Sequence, residues 1–419
     1  LISFFRRFVS MLRLGKRRGR MQNPLRVGIA GLGFGATEFI PTLERLDEIK
    51  IVAGADLRPW AREEFEKRYQ GKAYASVEEL CADSDVEAIW IATPNHLHAQ
   101  NAITAAKNGK HILARKPLGI TMAECQAVLD AVKKTDVKLL AGGQTQGTSP
   151  LIREARNIIT SGELGPLRAI NVVAYTGWML RPRMPQEVDD SAGGGVIWRQ
   201  APHQIETTRY LAGGLAKSVR AFTGSWRPER PNGTGYYTAV IEFDENVPVT
   251  MTYNAYGYFD TLGLTTWSSD KGIAGRAKSR AALLNGEINE EEEKEKTRFS
   301  SPGEGSVVGG EAGRPWTPGN LGIFLISCQE GDILMSENGL MVYDNHGNHE
   351  VEVFQPGGAG MALDSEVLEL YNAIRHDKPL FHDGPWGMAT AEIQWAIIES
   401  GRQNKEITLK YQVPVPPGE

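Results

Sequence analysis

The stretch LRVGIAGLGFGA, residues 25–36, decides the fold. Its first half, Leu25–Ala30, is a candidate strand that runs directly into a G-x-G-x-x-A pattern at the start of a helical stretch. In such a pattern Gly31 permits a tight turn, Gly33 lets the backbone approach a pyrophosphate, and Ala36 lets helix and sheet pack closely. A strand, this turn and a helix in that order predict a dinucleotide site formed by Gly31, Gly33, Phe34, Gly35 and Ala36.

An acidic residue at the end of the next candidate strand supports this prediction. Asp56 lies 20 residues past Ala36, where a carboxylate accepts hydrogen bonds from the ribose of NAD. Arg58 follows closely and would instead meet the 2′-phosphate of NADP. The sequence therefore predicts NAD or NADP as the cofactor, bound by Asp56 or Arg58, with NAD favoured.

Residues 24–143 alternate short apolar runs with helical stretches. This alternation predicts right-handed βαβ units and a Rossmann-type, doubly wound parallel sheet. The candidate strands are Leu25–Ala30, Ile51–Ala55, Val86–Ala92, His111–Ala114 and Val137–Ala141. Capping boxes are predicted at Ser76–Glu79 and Thr121–Glu124, and Pro59 suits a first helical turn.

The pattern changes in residues 144–419, where apolar runs follow one another with few intervening helices. This region is predicted to be an α+β substrate and oligomerisation domain with an open, mainly antiparallel sheet. Its candidate strands are Ala169–Tyr175, Val219–Trp226, Tyr237–Phe243, Val247–Tyr256, Ile323–Cys328, Leu340–Tyr343 and Val351–Phe354. Its candidate helices are Pro150–Thr160, Gln200–Leu211, Leu363–Arg375 and Gly387–Gly401. The charged run Glu287–Lys296 is predicted to be a solvated excursion.

Composition excludes several classes of protein. The chain of 419 residues has 46 basic and 51 acidic side chains, and without residues 1–21 the net charge is −12. An acidic body argues against nucleic acid as a partner. The three cysteines are far apart, which favours a reducing compartment and argues against a zinc site. An apolar run of about 18 residues is absent from the sequence, so we expect a cytoplasmic protein with no membrane partner and no metal.

Residues 1–23 form a basic tail that we do not expect to be structural. We interpret Met21 as the real start of the protein. An amphipathic membrane-surface or transit segment is the alternative. The pair Arg6-Arg7 resembles a twin-arginine signal, but the apolar stretch Phe8–Leu12 is too short for an export signal.

Two further polar clusters follow candidate strands of the first region. Thr93–His98 comes after the strand Val86–Ala92, and Arg115–Gly119 comes after the strand His111–Ala114. Carboxyl ends of parallel strands meet at the edge where open α/β sheets bind ligands. A later segment, Gly193–Gln204, reads GGGVIWRQAPHQ.

With these segments the chain resembles the glucose–fructose oxidoreductase, inositol dehydrogenase and MocA family, from about Leu25 to Leu409. It is most similar to the phthalate 4,5-cis-dihydrodiol dehydrogenases within that family. The stretches that carry this likeness are AGGQTQGTSP (141–150), RPR (181–183), residues 193–204 and HDGPWG (382–387). The resemblance implies a nicotinamide-binding domain, an open-sheet domain and a homo-oligomer, a dimer or tetramer with subunits packed sheet against sheet.

The resemblance also implies roles for single residues. The E-K-P motif of the family falls on residues 115–117, which makes Lys116 its lysine and implies a cis bond before Pro117. The G-G-G-x-x-x-D-x-G-x-H motif falls on residues 193–203 and retains the histidine as His203. Arg115 and Arg199 stand where the family has acids, so this chain departs from the family in charge at two positions.

Lys116 and His203 are the candidate bases for removing a hydroxyl proton. Cationic neighbours and partial desolvation are expected to lower the pKa of both groups, which makes each a usable proton acceptor. Asn95 is expected to contact the nicotinamide ribose or the backbone beside it. The other residues predicted at the nicotinamide end of the cofactor are Thr93, His98 and Lys116.

The substrate prediction rests on Arg181, Arg183 and Arg199. Guanidinium groups bind carboxylates in two-point contacts, so three arginines in two loops favour a carboxylated substrate. Trp178 and His203 are expected to line the same pocket. The alternative is that one or more of these arginines pair with the acids Glu187, Asp189 or Asp190 and that Trp178 belongs to the core.

The leading hypothesis is an NAD(P)-dependent dehydrogenase that oxidises a hydroxyl of a carboxylated cyclic cis-diol. A second hypothesis keeps the reaction but replaces the substrate with a sugar, a sugar acid or an inositol. A third, motivated by Arg115 and Arg199, is a dinucleotide-binding module with impaired chemistry.

Overall fold

The computed structural model describes residues 23–142, 149–265, 280–295, 316–319, 321–354 and 359–416. Two sheets form within these ranges, one of six strands and one of nine. Almost all of the predicted basic tail lies outside the described residues, as do positions 143–148 of the stretch 141–150. The predicted fold class is confirmed, because a parallel sheet is followed by a mainly antiparallel one.

The first sheet is parallel throughout, with the strand order β3-β2-β1-β4-β5-β6. Its strands are β1 (Leu25–Ala30), β2 (Ile49–Ala55), β3 (Lys72–Tyr74), β4 (Ala88–Ile91), β5 (His111–Arg115) and β6 (Leu139–Gly142). The five predicted strands are all present, with ends that differ by up to two residues. β3 was not predicted, because three residues at a sheet edge carry no readable apolar run.

Helices cover both faces of this sheet, which confirms the doubly wound arrangement. They are α1 (Phe34–Arg45), α2 (Pro59–Tyr69), α3 (Val77–Ala82), α4 (His98–Lys107) and α5 (Met122–Lys133). Pro59 is the first residue of α2, as predicted. At the start of α5, the Glu124 backbone N–H donates to the Thr121 hydroxyl, and the Thr121 N–H donates to the Glu124 carboxylate. The other predicted box is half present, since Ser76 accepts from the Glu79 N–H at 3.2 Å.

The second sheet has the strand order β14-β13-β12-β11-β7-β10-β9-β8-β15. Its strands are β7 (Leu167–Tyr175), β8 (Ala216–Gly224), β9 (Tyr236–Phe243), β10 (Pro248–Asn254), β11 (Ile323–Cys328), β12 (Gly331–Met335), β13 (Gly339–Asp344), β14 (Gly347–Glu352) and β15 (Ile407–Thr408). β7 and β10 pair in parallel, and the other neighbours pair antiparallel. β12 was not predicted, because its apolar run Ile333–Met335 is only three residues long.

The second region contributes the helices α6 (Pro150–Ser161), α7 (Gly195–Arg199), α8 (Ala201–Leu211), α9 (Glu290–Glu295), α10 (Ala359–His376) and α11 (Gly384–Gln403). Side chains of α6, α8 and α11 form one core with the second sheet. Outside this core, Val240 and Leu325 are 49% and 38% exposed. The predicted homo-oligomer stays a prediction. Among the described helices, none is both long and apolar enough to cross a bilayer.

The last two long helices return to the first sheet. Leu363, Val367 and Leu370 of α10 share a core with Phe39 of α1 and with β1. At the start of α11, a Cβ added to Gly387 would lie 2.6 Å from the Ala141 Cβ, so only glycine allows this close contact with β6. Residues after 144 are thus built into the core of the first sheet, and a division at residue 143 describes chain order better than packing.

Glu366 on α10 is a fully buried acid, 0% exposed. Neither of its carboxylate oxygens has a hydrogen-bond partner in the described part of the chain. Burial raises the pKa of Glu366 to about 7, although the positive charges of His382 and Arg115 oppose this effect. Folding therefore favours the protonated form of this carboxyl.

We predict that Glu366→Gln stabilises the protein more at pH 8 than at pH 5. The carboxyl binds its proton more tightly when folded, so its contribution to stability is complete below pH 4.5 and is lost as pH rises through about 7. The variant's gain in free energy of unfolding should grow by about 3 kcal/mol across this range. Urea unfolding at both pH values measures it. The matched control is Glu63→Gln on the exposed side of α2, and a gain from Glu366→Gln that is equal at both pH values would contradict the prediction.

Candidate active site

The glycine turn after β1 has the geometry of a dinucleotide-binding loop. Gly31 has a φ of +93°, and a Cβ there would lie 2.9 Å from the Ala92 carbonyl oxygen, so the position requires glycine. Gly33 caps α1, and a Cβ at this position would meet no described atom within 4 Å. The backbone at Gly33 is therefore open to a bulky group. These residues fit a pyrophosphate at the start of α1.

Asp56 and Arg58, which were predicted to compete for the cofactor, form an ion pair with each other. Asp56 accepts from Arg58 Nε at 2.8 Å and Nη2 at 2.9 Å, and it also accepts from the Leu32 N–H of the glycine turn at 2.9 Å. Burial alone would raise the pKa of Asp56, but hydrogen bonds and the charge of Arg58 hold it below its usual value. A ribose diol would have to share this carboxylate with Arg58.

The loops after β4 and β5 are joined by His98 and linked to the second region by Asn95. The His98 ring nitrogens lie 2.8 Å from the carbonyl oxygens of Pro117 and Thr93. Burial lowers the pKa of His98 to about 4, so the neutral ring donates to one of these carbonyls at a time. Asn95 Nδ2 donates to the Gly193 carbonyl at 2.6 Å. These contacts position the two loops, and cofactor contacts by Thr93, Asn95 and His98 stay predictions.

Lys116 and His203 lie at the same corner of the molecule. Lys116 Nζ donates to the backbone carbonyl of Arg199, the last residue of α7, and His203 follows in the first turn of α8. The Lys116–Pro117 bond is cis, as the resemblance implies. Burial and the charges of Lys116 and Arg115 lower the pKa of His203 well below 6.5. His203 is therefore neutral at pH 7 and able to accept a proton, and the catalytic roles of both residues stay predictions.

Arg115, at the first position where the family has an acid, faces the interior. Its guanidinium lies 4.7 Å from the ring centroid of Phe39. Its charge lowers the pKa of both Glu366 and His203. The arginine at this position thus places a cation near both the buried acid of α10 and the candidate base.

The carboxylate of Glu187 lies close to two of the three predicted substrate arginines and to one lysine. The carboxylate lies 3.1 Å from Arg199 Nη2, 3.3 Å from Lys294 Nζ and 3.8 Å from Arg183 Nη1. Although burial would raise it, the pKa of Glu187 is about 2, because the three cations stabilise the charged form. The pairing of predicted arginines with Glu187 is therefore present for two of them. We call Glu187, Arg183, Arg199 and Lys294 the cationic cluster.

The Trp178 ring packs against the Arg183 side chain of this cluster. The Arg183 guanidinium lies 4.0 Å from the Trp178 ring centroid, and Arg183 Nε donates to the Trp178 carbonyl at 3.1 Å. Burial lowers the pKa of Arg183 to about 10. Trp178 itself is 5% exposed and part of the core. Arg181 is close enough that its charge affects the pKa of Arg183, and substrate contacts by Arg181 and Trp178 stay predictions.

The prediction of a solvated excursion at Glu287–Lys296 is wrong for Glu290 and Lys294 of α9, whereas Glu291 and Glu292 are exposed as predicted. Glu290 accepts from Arg230 Nη1 at 2.9 Å and from the Arg183 backbone N–H at 2.8 Å. Lys294 is 9% exposed and lies 4.6 Å from the ring centroid of Phe34 in the glycine turn. Opposite charges on distant segments hold this short helix in place. Nothing local in a run of glutamates and lysines distinguishes Lys294, so sequence reasoning missed it.

Comparisons with known proteins identify the family. The family described as "Oxidoreductase family, NAD-binding Rossmann fold" matches residues 25–142, and the GFO/IDH/MocA C-terminal domain matches residues 152–266. A 1-carboxy-3-chloro-3,4-dihydroxycyclohexa-1,5-diene dehydrogenase of Comamonas testosteroni is 30% identical over 383 residues, covering 90% of this chain and 95% of that protein. The chain belongs to the Gfo/Idh/MocA family of oxidoreductases.

Solved structures agree with this assignment. A protein from Bordetella bronchiseptica RB50 has a TM-score of 0.81 and 29% identity, covering 92% of this chain and 100% of that one. Levoglucosan dehydrogenase in complex with NADH and levoglucosan has a TM-score of 0.69 at 21% identity, covering 92% and 99%, and shows the fold alone. This Gfo/Idh/MocA protein is thus an oxidoreductase of the dehydrogenase type with an NAD-binding Rossmann domain.

We predict that Asp56→Ala shifts cofactor preference toward NADP. Without the carboxylate, Arg58 loses its ion-pair partner and can meet a 2′-phosphate, so the ratio of NAD to NADP affinity should fall by about 10-fold, the worth of one charge-assisted hydrogen bond. Isothermal titration with each cofactor measures this ratio. Arg58→Ala is the control and should shift the ratio toward NAD, whereas an unchanged ratio in Asp56→Ala would refute a role for Asp56 in selecting the cofactor.

Proposed function

We propose that this Gfo/Idh/MocA protein is an NAD-dependent dehydrogenase of a carboxylated cyclic cis-diol, of the phthalate 4,5-dihydrodiol type. The observation that carries the proposal is the cationic cluster, in which three buried or half-buried cations share one carboxylate. Excess positive charge away from water is unfavourable unless an anion joins it. A substrate carboxylate would supply that charge.

The position of the cluster relative to the candidate bases supports the same substrate class. Arg199 contributes its guanidinium to the cluster and its backbone carbonyl to Lys116 Nζ. One residue thus connects the proposed carboxylate site to the proposed site of proton removal. The Comamonas relative is named for a carboxylated dihydroxycyclohexadiene, which combines both groups in one molecule. A neutral sugar would bring no anion to the cluster.

Different residues of the chain carry out different parts of the proposed reaction. NAD held at the glycine turn of Gly31 and Gly33 would supply the hydride acceptor for the carbon that carries the hydroxyl. Lys116 or His203 takes the hydroxyl proton, and His203 is suited to this at neutral pH because its ring is uncharged. Arg199 and its neighbours hold the substrate carboxylate. Loss of hydride and proton gives a ketone whose tautomer is the aromatic catechol, which makes the oxidation strongly favourable.

A substrate panel tests the proposed function. We expect NADH formation, followed at 340 nm, with the cis-4,5-dihydrodiol of phthalate. The uncarboxylated cis-dihydrodiol of benzene is the matched control and should react at least 100-fold more slowly in kcat/KM, because it offers no anion to the cluster. Turnover of sugars or inositols with inert dihydrodiols would refute the proposal in favour of a sugar-type dehydrogenase. Cofactor binding without turnover of any substrate would instead indicate the impaired module.

We predict that Lys116→Ala lowers kcat by orders of magnitude while NAD still binds. The variant removes the amine that Arg199 orients, and titration with NAD shows whether the fold and the cofactor site survive. Lys116→Arg is the control that keeps a cation without a usable proton acceptor, and it should also be inactive. An unchanged kcat in Lys116→Ala would remove lysine from the mechanism.

The pH profile separates the two candidate bases. Since the pKa of His203 lies well below 6.5, a profile limited by this ring should keep its activity at pH 6.5 and lose it only as pH falls further. His203→Gln should abolish that acid limb of kcat/KM. A limb that persists in the variant would assign it to another group.

A further inference from the structure

Lys294 lies between the glycine turn and the proposed substrate site. The centroid of the Phe34 ring is 4.6 Å from its Nζ, and Glu187 Oε2 is 3.3 Å away. Phe34 belongs to the first region of the chain and Glu187 to the second. A single lysine, 9% exposed, thus contacts both regions of the chain.

The described charges that act on Lys294 are those of Glu187, Arg183 and Arg199. Burial lowers the pKa of Lys294, and the charges of Arg183 and Arg199 lower it further against the opposing effect of Glu187. Arg199 and Lys294 approach different oxygens of Glu187, Oε1 and Oε2. The two cations therefore lie on different sides of one carboxylate, where each can take a separate anionic group.

Contacts that do not involve Lys294 hold α9 in place. One turn earlier on α9, Glu290 pairs with Arg230 Nη1 at 2.9 Å and accepts the Arg183 N–H. Arg230 in turn donates from Nε to the Met179 carbonyl at 3.1 Å. α9 is thus anchored to the second region through Glu290, which leaves Lys294 to project toward Phe34 and Glu187.

We propose that Lys294 is a specificity-determining residue that binds one carboxylate of a dicarboxylated ring, while Arg199 binds the other. The inference rests on the proposed function, because it assumes a carboxylated substrate. A dicarboxylate brings two negative charges to three cations and Glu187, which neutralises the cluster, whereas a monocarboxylate leaves one cation uncompensated. Lys294 therefore discriminates by the number of carboxylates.

Equilibrium binding to the NAD-loaded enzyme tests this role without relying on turnover. The probes are phthalate and benzoate, which differ by one carboxylate, titrated into wild type and Lys294→Met. We expect the variant to bind phthalate at least 10-fold more weakly, to bind benzoate within 3-fold of wild type, and to retain its affinity for NAD. The matched control is Lys217→Met, which removes a lysine charge at an exposed site on β8. It should change neither the phthalate affinity nor the benzoate affinity. Lys294→Arg should restore phthalate binding to within 3-fold.

The outcomes separate the inference from the function on which it rests. If wild type binds neither probe, the carboxylated substrate is wrong and the role of Lys294 fails with it. If wild type binds phthalate and Lys294→Met binds it equally well, the proposed function survives and only the role of Lys294 is overturned. A variant that loses NAD affinity while keeping phthalate affinity would assign Lys294 to the cofactor instead, which also overturns the inference.

Discussion

The carboxylate of Glu187 is the interaction on which the cationic cluster depends. It holds Arg199, Lys294 and Arg183 within 3.8 Å, although such cations would repel one another at these positions without it. The short helix α9, the segment after β7 and the end of α7 all converge on this one acid. The Met184 N–H donates to the Glu187 carboxylate at 2.8 Å and so fixes the backbone turn that carries Glu187. Few alternative arrangements would keep three positive side chains buried together.

Hydrogen bonds to backbone carbonyls join the loops after β4 and β5 to the second region of the chain. Asn95 and Lys116, from loops after neighbouring parallel strands, both donate to backbone carbonyls of the segment Gly193–Arg199. Backbone acceptors fix position without adding charge. Lys116 is therefore oriented by a neutral partner, while burial and the charges of Lys116 and Arg115 lower the pKa of His203.

Features set by neighbours in sequence could be predicted, and features set by distant contacts could not. The glycine turn, the first residue of α2 and the capping box of α5 depend on residues a few positions apart, and each was predicted correctly. The links to α9 join residues 60 or more positions apart, such as Arg230 and Glu290 or Arg183 and Glu290. A glutamate-rich run reads as solvated, because its partners are invisible until the chain folds. The buried acid Glu366 escaped notice for the same reason, as one more charge on an amphipathic helix.

The sequence singles out the arginines of the cationic cluster more readily than their acidic partner. Arg183 and Arg199 could be singled out because two loops of an acidic chain carry them close together. Their partner Glu187 could be named only as one of several acids, since the choice depends on the turn Pro185–Glu187. The spacing of residues in the sequence does not show which arginines face the candidate site, because the folded geometry decides this.

The return of α10 and α11 to the first sheet has a consequence for protein engineering. Leu363, Val367 and Leu370 complete the apolar face formed by Phe39 and β1, so a truncated fragment ending near residue 143 would expose that face to water. Such a fragment would tend to aggregate. Chimaeras that exchange the nucleotide half between relatives must therefore carry the two carboxy-terminal helices with it, and a successful crossover needs two cuts in the gene instead of one.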